Sequence, residues 1–158
     1  MDPEIKKQVL RKIVYGVYVV GLKQGEDVSA FTATWMSQVS FKPPLILLGV
    51  SKGTLSHQMI ETSRVFVVNF LGAEQKRVAQ HFLKPARLGG DKLEGVRYRL
   101  GKLGAPILEE AAAYAECEVR DIHPEGDHVV VIAEVVEAGV HQRVDSLTLK
   151  ETGWIYGG

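Results

Sequence analysis

Phe31-Thr32-Ala33-Thr34-Trp35-Met36-Ser37-Gln38-Val39-Ser40, followed by Pro43-Pro44 and then by Ser51-Lys52-Gly53-Thr54, is the stretch on which the reading of this chain turns. Small hydroxyl residues and an alanine let backbone N–H groups approach a flat polar ligand closely. A lysine beside Thr54, at an expected helix start, suits a phosphate, because the first amides of a helix are unpaired and its dipole favours negative charge there. Read alone, segment 32–40 also fits a strand that bends, and 51–54 a solvated turn.

Working outward, the pattern is that of many short strands with few helices. Asp2 caps a short helix with Pro3 in its first turn, and Ile5, Val9 and Ile13 share one face, expected to pack on the core. Val14 to Leu22 is rich in β-formers, and the turn at Gln24-Gly25-Glu26-Asp27 leads into a second extended run from Val28. Leu45 to Val50 reads as a strand buried on both faces. Thr54 is a credible N-cap for a helix to about Thr62 with Leu55, Met59 and Ile60 inward. Arg64 to Phe70 reads as strand, Ala73 to Phe82 as a second helix, and Lys84 to Gly95 as a Gly- and charge-rich loop able to cover a ligand. Ala113 to Ile122 alternates Ala115, Cys117 and Val119 against Glu116, Glu118 and Arg120, then turns at Pro124-Glu125-Gly126-Asp127 into the β-branched run His128 to Val136. These features predict a single domain over residues 1–158, mainly β, built as an antiparallel barrel.

Composition narrows the function classes. The chain has 158 residues, 46% of them hydrophobic, enough for a real core. Nineteen basic residues balance nineteen acidic ones, so no broad electrostatic footprint for nucleic acid or an anionic membrane is visible. No apolar run approaches the roughly 18 to 20 residues that span a bilayer. The N-terminus lacks an apolar signal core, and Cys117 is the one cysteine, which together predict a soluble protein of the reducing cytoplasm. The histidines His57, His81, His123, His128 and His141 show no His-x-x-x-His spacing, so no metal site is expected. Lys-Gly-Thr at 52–54 is not a Walker loop, and no Gly-x-Gly-x-x-Gly follows a strand.

Three pieces in this order, Thr-Ala-Thr-Trp-x-x-Gln-Val-Ser-x-x-Pro-Pro at 32–44, Ser-Lys-Gly-Thr at 51–54 and Gly126-Asp127-His128, resemble the flavin reductase-like proteins of the FMN-binding split-barrel fold. That family includes flavoredoxins and the small reductase components of two-component monooxygenases. The resemblance runs from about Gly16 to His128. It implies a mainly β, antiparallel split β-barrel of Greek-key type with a few short helices. It also implies bound FMN, with FAD as an option, NAD(P)H as co-substrate, and hydride transfer from nicotinamide to flavin. An electron-carrier role, with tightly bound FMN and a protein redox partner, is the alternative. A homodimer completing the cofactor groove and a partner such as a monooxygenase are implied as well, with no role for nucleic acid or membrane.

Carried onto this sequence, the resemblance puts Thr32, Ala33, Thr34, Trp35, Gln38, Val39 and Ser40 near the flavin ring and ribityl chain, whose polar edge needs fixed donors and acceptors rather than charges. Ser51, Lys52, Thr54, Ser56 and His57 fall at the phosphate. Lys92 stands where relatives keep a lysine within reach of the cofactor, although it also fits an exposed loop lysine. His128 falls beside the flavin and the incoming nicotinamide and is the candidate catalytic residue, its alternative being a residue of the hairpin turn. Many relatives carry an amide just before Thr-Ala-Thr, where this chain has Ser29-Ala30-Phe31, so Ser29 is the substitute at the ring's pyrimidine edge. The tail Gly153-Trp154-Ile155-Tyr156 either folds an aromatic over a flavin or hangs loose.

Overall fold

A computed structural model describes residues 1–84, 86, 88, 89 and 92–158, the side chains of residues 88, 89 and 92 excepted. In chain order the elements are α1 (Pro3–Leu10), β1 (Tyr18–Gln24), β2 (Asp27–Ala33), β3 (Met36–Ser40), β4 (Leu45–Ser51), α2 (Leu55–Ser63), β5 (Val65–Phe70), α3 (Lys76–His81), β6 (Leu88–Gly89), β7 (Lys92–Leu93), β8 (Val96–Leu100), β9 (Pro106–Leu108), β10 (Ala113–His123), β11 (His128–Val140) and α4 (Leu149–Thr152). Seven strands pair in the order β2-β1-β5-β10-β11-β4-β3, and a smaller sheet runs β6-β7-β8-β9. Every ladder is antiparallel.

The two edges of the large sheet, β2 and β3, are separated in sequence only by Thr34 and Trp35. The three Cα–Cα steps from Ala33 to Met36 can span at most about 11 Å. The sheet must therefore curl until the end of β2 and the start of β3 come together, and the seam of this barrel-like sheet lies at Thr34-Trp35. The expected single run from Val28 thus divides into two strands on opposite edges. At the seam the outward amide of β2 is not left open: Thr32 N–H donates to the Phe82 carbonyl at 2.8 Å, so the end of α3 covers the edge.

Inside the barrel lie Val20, Leu22, Leu48, Phe66, Val68, Cys117, Val129 and Val131. A second cluster, with Val19, Ala30, Val78, Phe82, Leu93, Leu108 and Leu147, packs on the outer face of β1 and β2. Phe66 and Phe82 are both fully buried, each contributing about 1.5–3 kcal/mol of apolar transfer. The strands buried on both faces are β1 and β5 rather than β4. In β4, Ile46, Leu48 and Val50 are buried while Leu45, Leu47 and Gly49 are partly covered, so its pattern is alternation.

Other expectations change for local reasons. Asp2 caps α1 as read, its carboxylate accepting from Glu4 N–H at 2.8 Å. No residue of that helix is buried, however, and Ile5, Val9 and Ile13 are 58%, 61% and 52% exposed, so the face does not pack on the barrel. The first strand starts at Tyr18 rather than Val14, because Val17 N–H is already committed to the Leu147 carbonyl. Thr54 does cap α2, but the inward residues are Ser56, Met59 and Ile60; Leu55, turned about 100° from Ser56, is exposed. The second helix is shorter than 73–82 because the Gln75 side chain takes Gly72 N–H at 2.8 Å and bridges to the Glu110 carbonyl before the helix begins. Within 84–95 lie β6 and β7 rather than loop alone. Among the described residues no helix is long and apolar enough to cross a membrane.

Candidate functional site

The seam opens a cavity of about 460 Å³. Thr32, Ala33 and Thr34 enter it from the end of β2, Trp35 from the two-residue crossing, and Ser51, Thr54 and Ser56 from the β4–α2 junction. His128, the first residue of β11, pairs with Ser51 in the ladder. That register brings the two motifs, 77 positions apart in sequence, to one wall. Phe82, Leu83 and Lys84 close the side beneath α3, and Trp154, Ile155 and Tyr156 close the mouth.

Much of the hydroxyl chemistry is already committed. Thr32 Oγ1 donates to the Ala79 carbonyl at 2.6 Å. Thr54 Oγ1 donates to the Ser51 carbonyl and accepts from His57 N–H at 3.2 Å, the N-cap contact. The amides of Leu55 and Ser56, at the first two positions of α2, stay outside the helix's own ladder and mark the anion-favouring end.

The aromatic wall is compact. Trp35 and His128 have ring centroids 4.5 Å apart, and Tyr156 meets Trp35 edge-on at 5.3 Å. His128 is held at both nitrogens, Nδ1 by the Asp127 carboxylate at 2.7 Å and Nε2 by the Tyr156 hydroxyl at 3.0 Å. The hydrogen bond from His128, and then its charge, hold the Asp127 carboxyl below the usual carboxylate range. Burial, and then the charge of Asp127, push the Tyr156 phenol up. Trp35 Nε1 is buried without a hydrogen-bond partner, an unpaired donor of the kind that is rare unless a site or ligand gives it a role.

Of the residues singled out from sequence, Thr32, Ala33, Thr34, Trp35, Ser51, Thr54, Ser56 and His128 come together here. Others do not line the cavity. Gln38, Val39 and Ser40 continue along β3 away from it, with Gln38 Nε2 donating to the Ser40 carbonyl at 3.2 Å. Ser29 is buried and bonds the Ala86 carbonyl at 3.4 Å. The Lys52 ammonium turns to the Pro124 carbonyl in the β10–β11 turn, and His57 Nδ1 accepts from Gly53 N–H at 3.3 Å. The Lys92 side chain lies outside the described residues. Sequence reading missed Phe82, Lys84 and Gly49, and left Tyr156 undecided. The signal for Tyr156 was the Trp-x-Tyr pair of the tail, whose alternate positions can share one side.

Among families of known domains, the one described as the flavin reductase-like domain matches residues 10–153. The chain is 33% identical over 141 residues to a diflavin flavoprotein of Synechocystis, covering 89% of this chain and 24% of that protein. It is 35% identical to the reductase subunit of a flavin-dependent monooxygenase from Mycobacterium tuberculosis, covering 85% of this chain and 71% of the relative. The solved structure of a Streptomyces globisporus NADH:FAD oxidoreductase in complex with NAD and FAD fragments superposes with a TM-score of 0.82 at 29% identity, over 96% of this chain and 92% of that one. The chain spans only about a fifth to a quarter of the length of the diflavin flavoproteins it matches.

Proposed function

The chain belongs to the flavin reductase-like domain family, and from that premise we propose that it binds a flavin in the seam cavity and serves as an NAD(P)H-dependent flavin reductase. The observation that carries this reading is the wall itself: Trp35 against His128 at 4.5 Å, facing hydroxyl side chains and the start of α2 across one cavity. FMN fits the residues present. The buried, unpaired Trp35 Nε1 is an available donor, and Ser51, Ser56 and the free amides of α2 suit a phosphate. When bound, the flavin supplies the acceptor for a hydride from the nicotinamide.

The protein's own share is geometry. Trp35 offers a flat wall, Thr34 and the backbone of the crossing offer donors and acceptors at short range, and Phe82 and Leu83 exclude water from the far side. His128 stands at the open edge, where it can position the nicotinamide or balance developing charge. Ser29, Gln38, Val39, Ser40, Lys52, His57 and Lys92 enter this proposal only through a rearrangement, on binding, of the strands, helix and loop that carry them. The homodimer implied by the resemblance is supported by the apolar, solvent-facing stripe of Ile5, Val9 and Ile13. A monooxygenase as consumer of the reduced flavin is supported by the likeness to a monooxygenase reductase subunit.

Anaerobic mixing of flavin-loaded protein with NADH and, separately, with NADPH tests the reading: the flavin's visible band should bleach. A flavin that binds but stays oxidised with both nucleotides would favour the electron-carrier role. Protein that ignores micromolar FMN and FAD would end the flavin reading itself.

A further inference from the structure

The tail that reaches the cavity is anchored at several points. Thr148 and Glu151 form a capping box around the start of α4, and the helix ends at Gly153, whose φ of 73° suits glycine. Thr152, buried, accepts from Trp154 N–H at 3.0 Å and donates to the Leu149 carbonyl at 2.7 Å. Beyond Tyr156, Arg11 Nε donates to the Gly157 carbonyl at 3.3 Å. Tyr156 is therefore held from both sides, with its ring edge-on to Trp35 and its hydroxyl on His128.

The donors and acceptors around the imidazole follow from the partners. A carboxylate can only accept, so Asp127 places a hydrogen on Nδ1. In the neutral ring Nε2 is then a bare acceptor, and the phenol must donate to it. When the ring carries a second proton, Nε2 becomes a donor and the same phenol oxygen accepts. A phenol serves both states; a phenylalanine serves neither.

We propose that Tyr156 is a positioning residue for His128: Asp127 fixes the imidazole as its Nδ1–H tautomer, and the Tyr156 hydroxyl on Nε2 sets the angle of the ring at the cavity wall. The proposal rests on the flavin-reductase reading for its kinetic consequence, but its chemical core does not. With Asp127 alone the ring could still pivot about its Cβ–Cγ bond. With Trp35 against one face and Tyr156 on Nε2 it has one arrangement, which is the preorganisation a group at a hydride-transfer site needs. The tail thus does more than cover the cavity.

Tyr156→Phe isolates the hydroxyl while keeping the ring on Trp35. In long-range proton–nitrogen NMR spectra of the wild type, His128 should show a protonated Nδ1 and an unprotonated Nε2; in Tyr156→Phe Nδ1 should stay protonated by Asp127 while the Nε2 resonance shifts as its hydrogen bond is lost. In turnover, the variant should lose about 5- to 20-fold in kcat with KM for the nicotinamide within about twofold, a split that mere loss of packing does not produce. Placed on His128→Ala, the same substitution should cost nothing further, since its effect runs through the imidazole. An unchanged His128 Nε2 resonance in Tyr156→Phe, or full additivity of the two substitutions, overturns the proposal. A wild type that leaves flavin oxidised would sink the reductase reading, and the NMR comparison would still decide the role of Tyr156.

Discussion

Gly49 and Trp35 are packed so closely that a Cβ on Gly49 would stand 3.1 Å from the Cβ of Trp35 and 3.2 Å from its Cε3. The Gly49 N–H also donates to the Trp35 carbonyl at 2.8 Å. The absence of a side chain on β4 is what lets the indole lie against the strand and form a wall of the cavity.

Gly49→Val should therefore lift Trp35 off β4 and fill part of the ligand space. We expect flavin affinity to fall by about tenfold or more, with an overpacking cost to stability of about 1–3 kcal/mol. Titration by flavin fluorescence quenching checks the first number and a denaturant melt the second. Affinity equal to wild type would mean that Trp35 does not line the flavin site.

Two lysines, Lys52 on the β4–α2 loop and Lys84 after α3, separate cleanly as candidates for the phosphate. Lys52 spends its ammonium on the Pro124 carbonyl, while Lys84 lines the cavity. Lys84→Ala should weaken FMN more than riboflavin, by about 1–3 kcal/mol where a charge-assisted contact is lost. Lys52→Ala should weaken the two ligands alike. The reverse pattern in paired titrations would return the phosphate to Lys52.

How much of this was legible in sequence depends on range. The Asp2 and Thr54 caps, the first hairpin and the β10–β11 hairpin could be read because their signals are local: cap residues, turn residues and alternation. Trp35 and His128 were singled out, but their 4.5 Å contact follows from the β4–β11 register, which no local signal carries. Lys52 misled because residue type and nearness to a helix start do not say where a flexible side chain finds its partner. The short strands β8 and β9 escaped because five and three residues offer too little periodicity. Ile5, Val9 and Ile13 show the opposite limit: the amphipathic pattern is real, but the surface that would cover it is not in this chain's own core.

Cys117 sits inside the barrel, fully buried. Burial first, and the charge of Glu116 second, push its thiol up to about 12. A thiol whose folded pKa is raised contributes stability that is complete below the unfolded value of about 8.5 and is lost as pH climbs from there toward the folded value. The native protein should resist thiol-specific disulfide reagents at pH 8 and react stoichiometrically once unfolded. Rapid labelling of the folded protein would show that the barrel opens locally at β10.

The exposed stripe of α1 tests the oligomer. If a second copy covers it, light scattering should give twice the chain mass, and Val9→Glu should shift the population toward monomer without lowering the stability of the barrel, because Val9 makes no buried contact within the chain. A wild type that runs as a monomer at micromolar concentration would remove the homodimer from the proposal.

Glu116 is the one acidic residue of the described chain that is buried, at 1% exposure, and it lies on β10, where alternation would put it outside the barrel. Its carboxylate accepts from the amides of Lys102 at 3.0 Å and Leu103 at 2.8 Å, tying the β8–β9 turn to the large sheet. Gly101 makes the approach possible, since a Cβ there would fall 2.5 Å from Glu116 Oε2. Glu116→Ala leaves two part-buried amides without their acceptor, each at about 1–3 kcal/mol. For a chain of this length each kcal/mol lowers the melting temperature by about 2–4 °C, so a drop of roughly 5–15 °C is expected. The turn lies away from the seam cavity, so flavin affinity measured well below the new melting point should stay within about twofold of wild type. A small shift in melting temperature would mean that water takes over both amides, and a large loss of flavin affinity would mean that the small sheet helps to hold the site.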